Sequence, residues 1–451
     1  MGTHLVILAA GEGTRMKSDL PKVLHEIGGL PLFAHAIASG RGLEPETIVL
    51  VVGNGAEAVR AVAEQVAPEA LIVEQRERRG TGHAVRIAAD HLRSAEGDAV
   101  VLFGDTPFIR PETLKRMAAA RSAGNGVVVL GFEPADPLRY GRLVMDGESL
   151  EKIVEFKDAS EEERAITLCN GGVTMAPARL LAELVDDLSD DNAGGEFYLT
   201  DIVALARAKG HSATAVTCDP VETMGVDTRG ALAQAEAAFQ ATRRVEMLEA
   251  GVTLTAPDTV FFSHDTVIGR DTVIEPHVIF GPGVRVEPDA RIRAFSHLEG
   301  CHVGSGSVTG PYARLRPGAE LGQDARVGNF VEIKNAALGD GSKVNHLSYI
   351  GDAKVGKRTN IGAGTVTCNY DGVSKHETQI GADVFIGSDT MLVAPVRIGD
   401  RAMTATGTVV TRDVVDGALA IGRARQETKP GFAIRLFEKL RAAKAERAKG
   451  E

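Results

Sequence analysis

TVIGRDTVIEPHVIFGPGVRV, residues 266–286, puts a large apolar side chain at every sixth position: Ile268, Ile274, Phe280 and Val286. The beat continues through Ile292 and Leu298, through Leu315, Leu321, Val327 and Ile333, and again through Ile380, Ile386, Leu392 and Ile398. A helix repeats every 3.6 residues and a half-buried strand every 2, so neither gives this spacing. A parallel β-helix does: each hexapeptide is a short strand and a bend, and the sixth residue points into a narrow prism. Gly after many of the apolar positions, as at Gly269, Gly328, Gly362 and Gly387, eases the corners. The beat shortens to five at Leu298–Val303, Ile333–Leu338 and Ile350–Val355, which predicts tightened corners. It pauses across Cys368–Lys375, which predicts a loop. The period does not give the hand of the coil.

The rest of the chain is of another kind. Between residues 1 and 229, apolar runs at His4–Ala9, Thr47–Val52, Ala70–Glu74, Ala99–Phe103 and Gly126–Leu130 read as buried strands. Helical stretches at Leu32–Ser39, Ala56–Gln65, Gly82–Ala95 and Pro111–Ala120 lie between them. Such alternation predicts an α/β, doubly wound, mostly parallel Rossmann-like sheet, with ligands beyond the carboxyl ends of its strands. Residues 230–250, rich in Ala and Glu, predict one linker helix, and residues 251–451 hold the β-helix and a tail. From Phe432 to Glu451 the tail is basic and helix-prone; a solvated terminal helix and a segment packed on a neighbouring subunit both fit it.

Bulk properties narrow the function. The 451 residues are 44% apolar and 25% charged, an ordinary soluble composition with room for two or three domains. A formal charge of −11 argues against general nucleic-acid binding. No apolar run reaches the roughly 18 residues of a membrane helix, and the N-terminus lacks a basic leader, so a cytoplasmic protein is expected. Cys169, Cys218, Cys301 and Cys368 are far apart and without CxxC spacing, which suits reduced thiols.

The first strand opens into Ala9-Ala10-Gly11-Glu12-Gly13-Thr14-Arg15-Met16, with Pro21-Lys22 downstream. Gly11 and Gly13 let backbone N–H groups face an anion, and Arg15 and Lys22 supply charge for phosphates. Thr81 after Gly80 suits a helix N-cap as well as a ligand contact. Asp105, ending the strand at Phe103-Gly104, suits a turn cap. In the β-helix, polar residues that break the beat recur at near-coil spacing: Arg316, Lys334, His346, Tyr349 and Asn360. Arg316 and Lys334 can grip a phosphate, and an imidazole with an ordinary value near 6.5 can take a proton from an attacking amine.

The string L-A-A-G-x-G-T-R-M with P-K resembles the signature of sugar-1-phosphate nucleotidyltransferases. The whole chain, through ARLRPGAEL, VGNFVEIKNA, HLSYIGD, NIGAGTVTCNYDG and VFIGSDTMLVAPV, resembles the bacterial bifunctional N-acetylglucosamine-1-phosphate uridylyltransferase and glucosamine-1-phosphate acetyltransferase family. The resemblance implies a left-handed β-helix, a homotrimer with acetyl-CoA sites between subunits, and small-molecule substrates: glucosamine 1-phosphate, acetyl-CoA and UTP. It implies a UDP-N-acetylglucosamine site at Leu8, Ala9, Ala10, Gly11, Lys22, Gln75, Gly80, Thr81, Gly141, Glu155, Asn170 and Asp227. Gln75 and the Gly80-Thr81 segment would face the uracil, and Gly141, Glu155 and Asn170 the sugar. Arg15 and Lys22 would act on the phosphates, and Mg²⁺ would sit on Asp105 and Asp227. The family usually carries Asn where Asp227 stands, and a carboxylate binds Mg²⁺ at least as well as an amide oxygen. In the β-helix His346 would be the general base. Arg316, Lys334, Tyr349 and Asn360 would hold the amino-sugar phosphate. Ala363, Asn369, Tyr370, Ser388, Thr406 and Arg423 would line the acetyl-CoA site. Thr406 replaces a frequent Ala, and Arg423 suits a CoA phosphate as well as a solvated charge.

Two other functions fit parts of the sequence. One is a single-activity nucleotidyltransferase with a regulatory β-helix, which the polar cluster around His346 disfavours. The other is a scaffold with a decayed nucleotidyltransferase fold, which intact Gly11, Gly13, Arg15, Lys22 and Asp105 disfavour.

Overall fold

The computed structural model describes residues 2–137 and 139–447 and divides into two compact units. The first comprises residues 1–249 with Phe261–Thr266, the second 250–260 with 267–451.

The first unit is built on β1 (Thr3–Ala9), β2 (Thr47–Val52), β3 (Leu71–Glu74), β4 (Asp98–Phe103), β5 (Val127–Phe132), β6 (Arg142–Asp146), β7 (Ser149–Val154), β8 (Cys169–Pro177) and β9 (Ala213–Cys218). The sheet order is β9-β5-β8-β4-β1-β2-β3, with the β6–β7 hairpin attached to β8. Strands β1 to β4 pair in parallel, and β8 runs antiparallel to β4 and β5. Successive side chains of β1 enter opposite cores. Val6 and Leu8 pack with Ala84, Val85 and Leu181 on one face; Leu5 and Ile7 pack with Phe33, Ile37 and Leu114 on the other. Burial on both faces is why the central strands read as unbroken apolar runs.

The five expected strands are present, but the sequence reading missed β6 to β9. Gly171-Gly172 and the register shift between Asn170 and Thr174 break the pattern of β8, and β9 is a half-buried edge strand. The helix expected over Gly82–Ala95 ends at Ala88 and tightens into a 3₁₀ turn at Ala89–His91, a common way for a helix to stop. The helix expected over 230–250 runs Arg229–Glu249 and belongs to the first unit. Gln240, 2% exposed, donates to Phe262 O at 2.7 Å and accepts from Phe262 N at 2.9 Å, which fastens 261–266 onto that helix.

The second unit is a left-handed parallel β-helix of very short strands. One coil brings Val267 to Arg285, 18 residues on, whereas His297 meets Arg314 and Glu332 meets Tyr349 after 17. The five-residue slips are therefore coils one residue short. Val366 meets Met391 after 25, and the added length is a loop closed by an antiparallel bridge from Tyr370 to Lys375. The sixth-position residues are buried, with Ile274, Ile292, Leu298, Ile333 and Ile386 at 0% exposure. Some buried hydroxyls along the core bond corner carbonyls, as Thr359 does on Gly381 O (2.7 Å) and Thr365 on Gly362 O (2.7 Å), whereas those of Thr309, Ser342 and Thr378 have no partner among the described residues. Glycine at 328 is a requirement of close coil stacking: a Cβ there would lie 2.0 Å from Asn345 O. The tail helix spans Phe432–Arg447 and is exposed throughout in the single chain; residues 448–451 of the expected tail lie outside the described residues. No described helix is long and apolar enough to cross a membrane, and all four cysteines are free.

Candidate functional site

In the first unit the predicted residues gather at the carboxyl ends of β1, β3 and β4. Leu8, Ala9 and Ala10 are buried, so they offer backbone only. Gly104 N donates to Leu8 O at 2.9 Å, which holds the Phe103–Asp105 turn against the glycine loop. Val226 N donates to Asp105 O at 2.9 Å and so draws Asp227 alongside. Lys22 is the hub. Its Nζ bonds Asp105 Oδ2 and, at 2.8 Å, Asp227 Oδ1, while Arg15 meets Asp227 Oδ2 at 2.9 Å. Burial works to lower the Lys22 pKa, but Asp105 and Asp227 outweigh it and the ammonium is held above its ordinary value. Gly13 has φ +66°, and a Cβ there would lie 2.5 Å from Lys22 Cβ, so a side chain would unseat the hub.

Two carboxylates thus face one cation. Among the described residues no group of three or more His, Cys, Asp and Glu gathers for a metal. A divalent ion here would have two protein carboxylates and would need water and phosphate for the rest of its shell, a donor set that suits Mg²⁺.

A cavity of about 430 Å³ lies beside Arg139, Glu155, Phe156 and Tyr198. Gly141, Glu155 and Asn170 converge there: a Cβ on Gly141 would meet Glu155 Oε2 at 3.5 Å and Asn170 Cβ at 3.6 Å. Burial first, then Asp201 and Asp158, push the Glu155 carboxyl above its ordinary range against a bond from Thr200 (3.1 Å). Gln75, 6% exposed, follows β3 and donates Nε2–H to Gly80 O and to His83, each at 3.1 Å. Thr81 is not the helix N-cap; Gly80 is, and the Thr81 hydroxyl accepts from Leu199 N at 3.2 Å.

In the second unit, backbone register stacks Arg314, Glu332 and Tyr349, and with them Arg316, Lys334 and Gly351. Tyr349 folds its ring over Gly351, where a Cβ would meet the phenol oxygen at 2.3 Å. Arg316 bonds Glu332 at 2.9 Å. Lys334 lines an open groove of about 840 Å³ with Pro317, Gly318, Asp352, Lys375 and His376. Lys334 beside it pushes the Lys375 ammonium below its ordinary value, while Asp352 works the other way. Lys375 sits in the loop where the beat pauses, so spacing could not place it.

His346 occupies the corner just before Tyr349. Its Nδ1 lies 2.9 Å from Asn329 Oδ1, its register partner on the preceding coil. An amide oxygen only accepts, so in the neutral ring this contact puts the proton on Nδ1 and leaves Nε2 as the acceptor. One edge of the prism then continues upward: Gly364 N donates to His346 O (3.3 Å), Asp389 N to Ala363 O (2.7 Å), and Gly407 N to Ser388 O (2.8 Å). Arg423 closes the column with a bond to Thr406 O. Asn369 bonds Asp352, and the exposed Tyr370 donates to Gly372 O at 2.6 Å. Asn360 is not brought to Arg316 and Lys334 within one chain; it pairs with Lys343 and Phe385 on the face that carries His346.

Residues 5–195 match the MobA-like NTP transferase domain, and residues 377–412 match the bacterial transferase hexapeptide (six repeats). Curated proteins called "Bifunctional protein GlmU" match from end to end. The protein from Jannaschia sp. is 61% identical over 99% of this chain and 98% of its own length. That from Ruegeria sp. (strain TM1040) is 63% identical over 100% of both. That from Paracoccus denitrificans is 61% identical over 98% of both. A solved UDP-glucose pyrophosphorylase complexed with UDP-glucose aligns with 54% of this chain at 19% identity and TM-score 0.45.

Proposed function

The chain belongs to the GlmU family of bifunctional proteins, and on that premise we propose how its residues divide the two reactions. It is a bifunctional transferase of UDP-N-acetylglucosamine synthesis. It acetylates glucosamine 1-phosphate with acetyl-CoA, then transfers UMP from UTP to N-acetylglucosamine 1-phosphate and releases pyrophosphate. The end-to-end identity with GlmU proteins carries this reading.

Residues 1–229 carry uridylyl transfer, 230–250 form the linker helix, and 251–451 carry acetyl transfer. In the first reaction the sugar phosphate oxygen attacks the α-phosphorus as pyrophosphate leaves. Lys22 and Arg15 supply positive charge where negative charge develops, and the glycine-loop amides align the phosphates. Asp105 and Asp227 would hold Mg²⁺, which neutralises phosphate charge when bound. Gln75, Gly80 and Thr81 take the base, and Gly141, Glu155 and Asn170 the sugar. In the second reaction the amine attacks the thioester carbonyl, the CoA thiolate leaves, and His346 Nε2 accepts the amine proton. Arg316, Lys334 and Tyr349 grip the phosphate of the amino sugar. The thioester arm follows the edge marked by Ala363, Ser388 and Thr406, and Arg423 takes a phosphate at its far end, with Asn369 and Tyr370 at the side. Four coils at about 4.8 Å put His346 and Arg423 roughly 19 Å apart, the scale of an extended cofactor arm.

The position of Asn360 on another face supports a homotrimer in which a neighbour completes each acetyl-transfer site. Free thiols and nucleotide-level substrates suit a cytoplasmic location. The test uses purified protein with two readouts, CoA thiol release and pyrophosphate release. His346→Ala is expected to lower acetyl transfer by about 10²–10⁴ and leave uridylyl transfer near normal; Asp105→Ala is expected to do the reverse. Loss of both activities in either folded variant overturns the division.

A further inference from the structure

Gln75 is bound in an unusual way for a base-reading amide. Both hydrogens of its Nε2 are used inside the protein, one on Gly80 O and one on the His83 ring at Nδ1, each at 3.1 Å. An amide nitrogen has two hydrogens and no more, so Gln75 cannot donate to a ligand from this position. Among the described residues none donates a hydrogen bond to its Oε1. Gln75 therefore offers a ligand one thing, an acceptor.

That acceptor discriminates between pyrimidines. Uracil and thymine carry N3–H, a donor; cytosine N3 is an acceptor and meets Oε1 lone pair to lone pair. Gly80 O is a fixed acceptor, and His83 can be one only as the neutral ring with its proton on Nε2. The surroundings favour that state. Burial first, and then the guanidiniums of Arg79 and Arg86, lower the His83 pKa, while the Glu77 backbone and carboxylate work the other way. Phe197 lies across the ring at 6.3 Å between centroids and is itself covered by Arg79 and Arg86 at 4.6 and 4.4 Å.

We propose that His83 is a positioning residue for base selection: its Nδ1 locks the Gln75 amide so that only the carbonyl oxygen faces the pyrimidine. A Gln75 released from His83 can turn its amide group and satisfy a cytosine N3. This role rests on the reading that Gln75 faces the base.

The experiment compares kcat/KM for UTP and CTP, with N-acetylglucosamine 1-phosphate as acceptor, in the full-length protein and in His83→Ala, His83→Asn and Gln75→Ala. One neutral hydrogen bond sets the scale, so His83→Ala should cut the UTP:CTP ratio about 3- to 10-fold. His83→Asn, whose side-chain oxygen can accept in place of Nδ1, should restore most of it. The wild-type ratio should also fall as acid protonates His83, and the His83→Ala ratio should not follow. A thermal transition of the first unit at the wild-type midpoint reports that each variant is folded. If Gln75→Ala keeps the wild-type ratio, Gln75 does not read the base and the underlying assignment fails. If Gln75→Ala loses the ratio while His83→Ala keeps it, the lock is refuted and the assignment stands.

Discussion

Replacing Lys22 by Met tests the geometry of the nucleotidyl site without relying on catalysis. Met keeps the length and apolar stem of the side chain but removes the ammonium on which Asp105 and Asp227 converge. Both carboxylates bond one nitrogen, the Asp227 oxygen from 2.8 Å, so their oxygens stand about 5 Å apart by simple geometry; at an effective dielectric of about 20 that repulsion is ~3 kcal/mol. The Asp105 and Asp227 side chains are 24% and 35% exposed, and solvent screening reduces the cost to about 1–2 kcal/mol. For a unit of this size each kcal/mol moves the midpoint by about 2–4 °C, so the variant should melt about 2–8 °C lower near pH 7. The sign with pH follows from the charges. The Lys22 ammonium is held above its ordinary 10.5, so its contribution is complete below that value and is lost only as pH rises through the raised one. Between pH 4 and 8 the wild-type ammonium stays charged, so its contribution is fully present there. Millimolar Mg²⁺, entering where the ammonium was, should restore more stability to the variant than to wild type. The assay is thermal unfolding with and without Mg²⁺, following the transition that loss of uridylyl transfer assigns to the first unit in wild type. A variant as stable as wild type at pH 7, or one that Mg²⁺ restores no more than it does wild type, refutes the convergence of the two carboxylates.

Asn329→Ala removes the acceptor that holds the His346 proton on Nδ1. The kcat of acetyl transfer should fall about 3- to 10-fold, the worth of one neutral hydrogen bond, with the KM for acetyl-CoA and uridylyl transfer unchanged; an unaltered kcat excludes this orienting role. Glu155→Gln tests a buried carboxylate whose pKa is raised by burial, Asp201 and Asp158 from an ordinary 4.5. A raised group stabilises below its unfolded value and loses that contribution as pH rises through its folded one. The Gln variant should therefore gain stability over wild type above that window and show little difference near pH 4, even as it loses sugar binding. Equal melting differences at pH 4 and 8 would mean that the carboxylate is well solvated.

The periodic half of the molecule was legible because its physics is local. A coil of 17 or 18 residues buries the same sequence position in every turn, so Ile274, Ile292 and Ile333 announce the prism without knowledge of anything distant. The slips and the pause were legible for the same reason, since a shortened corner and a looped one each shift the beat. Strands β1, β2, β4 and β5 were visible as doubly buried apolar runs, and β3 as a short apolar run at the sheet edge. Strand β8 was not, because its glycines and bulge serve the site at Asn170 and erase the alternation.

The sequence by itself determined the fold class, the phosphate loop and the residue types at both sites. It did so because hydrophobic period and Gly placement are properties of neighbouring residues. Only the tertiary structure decided which groups pair. Lys22 bridges Asp105 and Asp227 across 83 and 205 positions of chain, and His346 receives its tautomer from Asn329 on the coil beneath it. Gln75 loses its donors to Gly80 and His83 within one tight turn. Hydrogen bonds and charge pairs act over a few ångströms of space, whatever the distance along the chain, so only the folded packing could assign them.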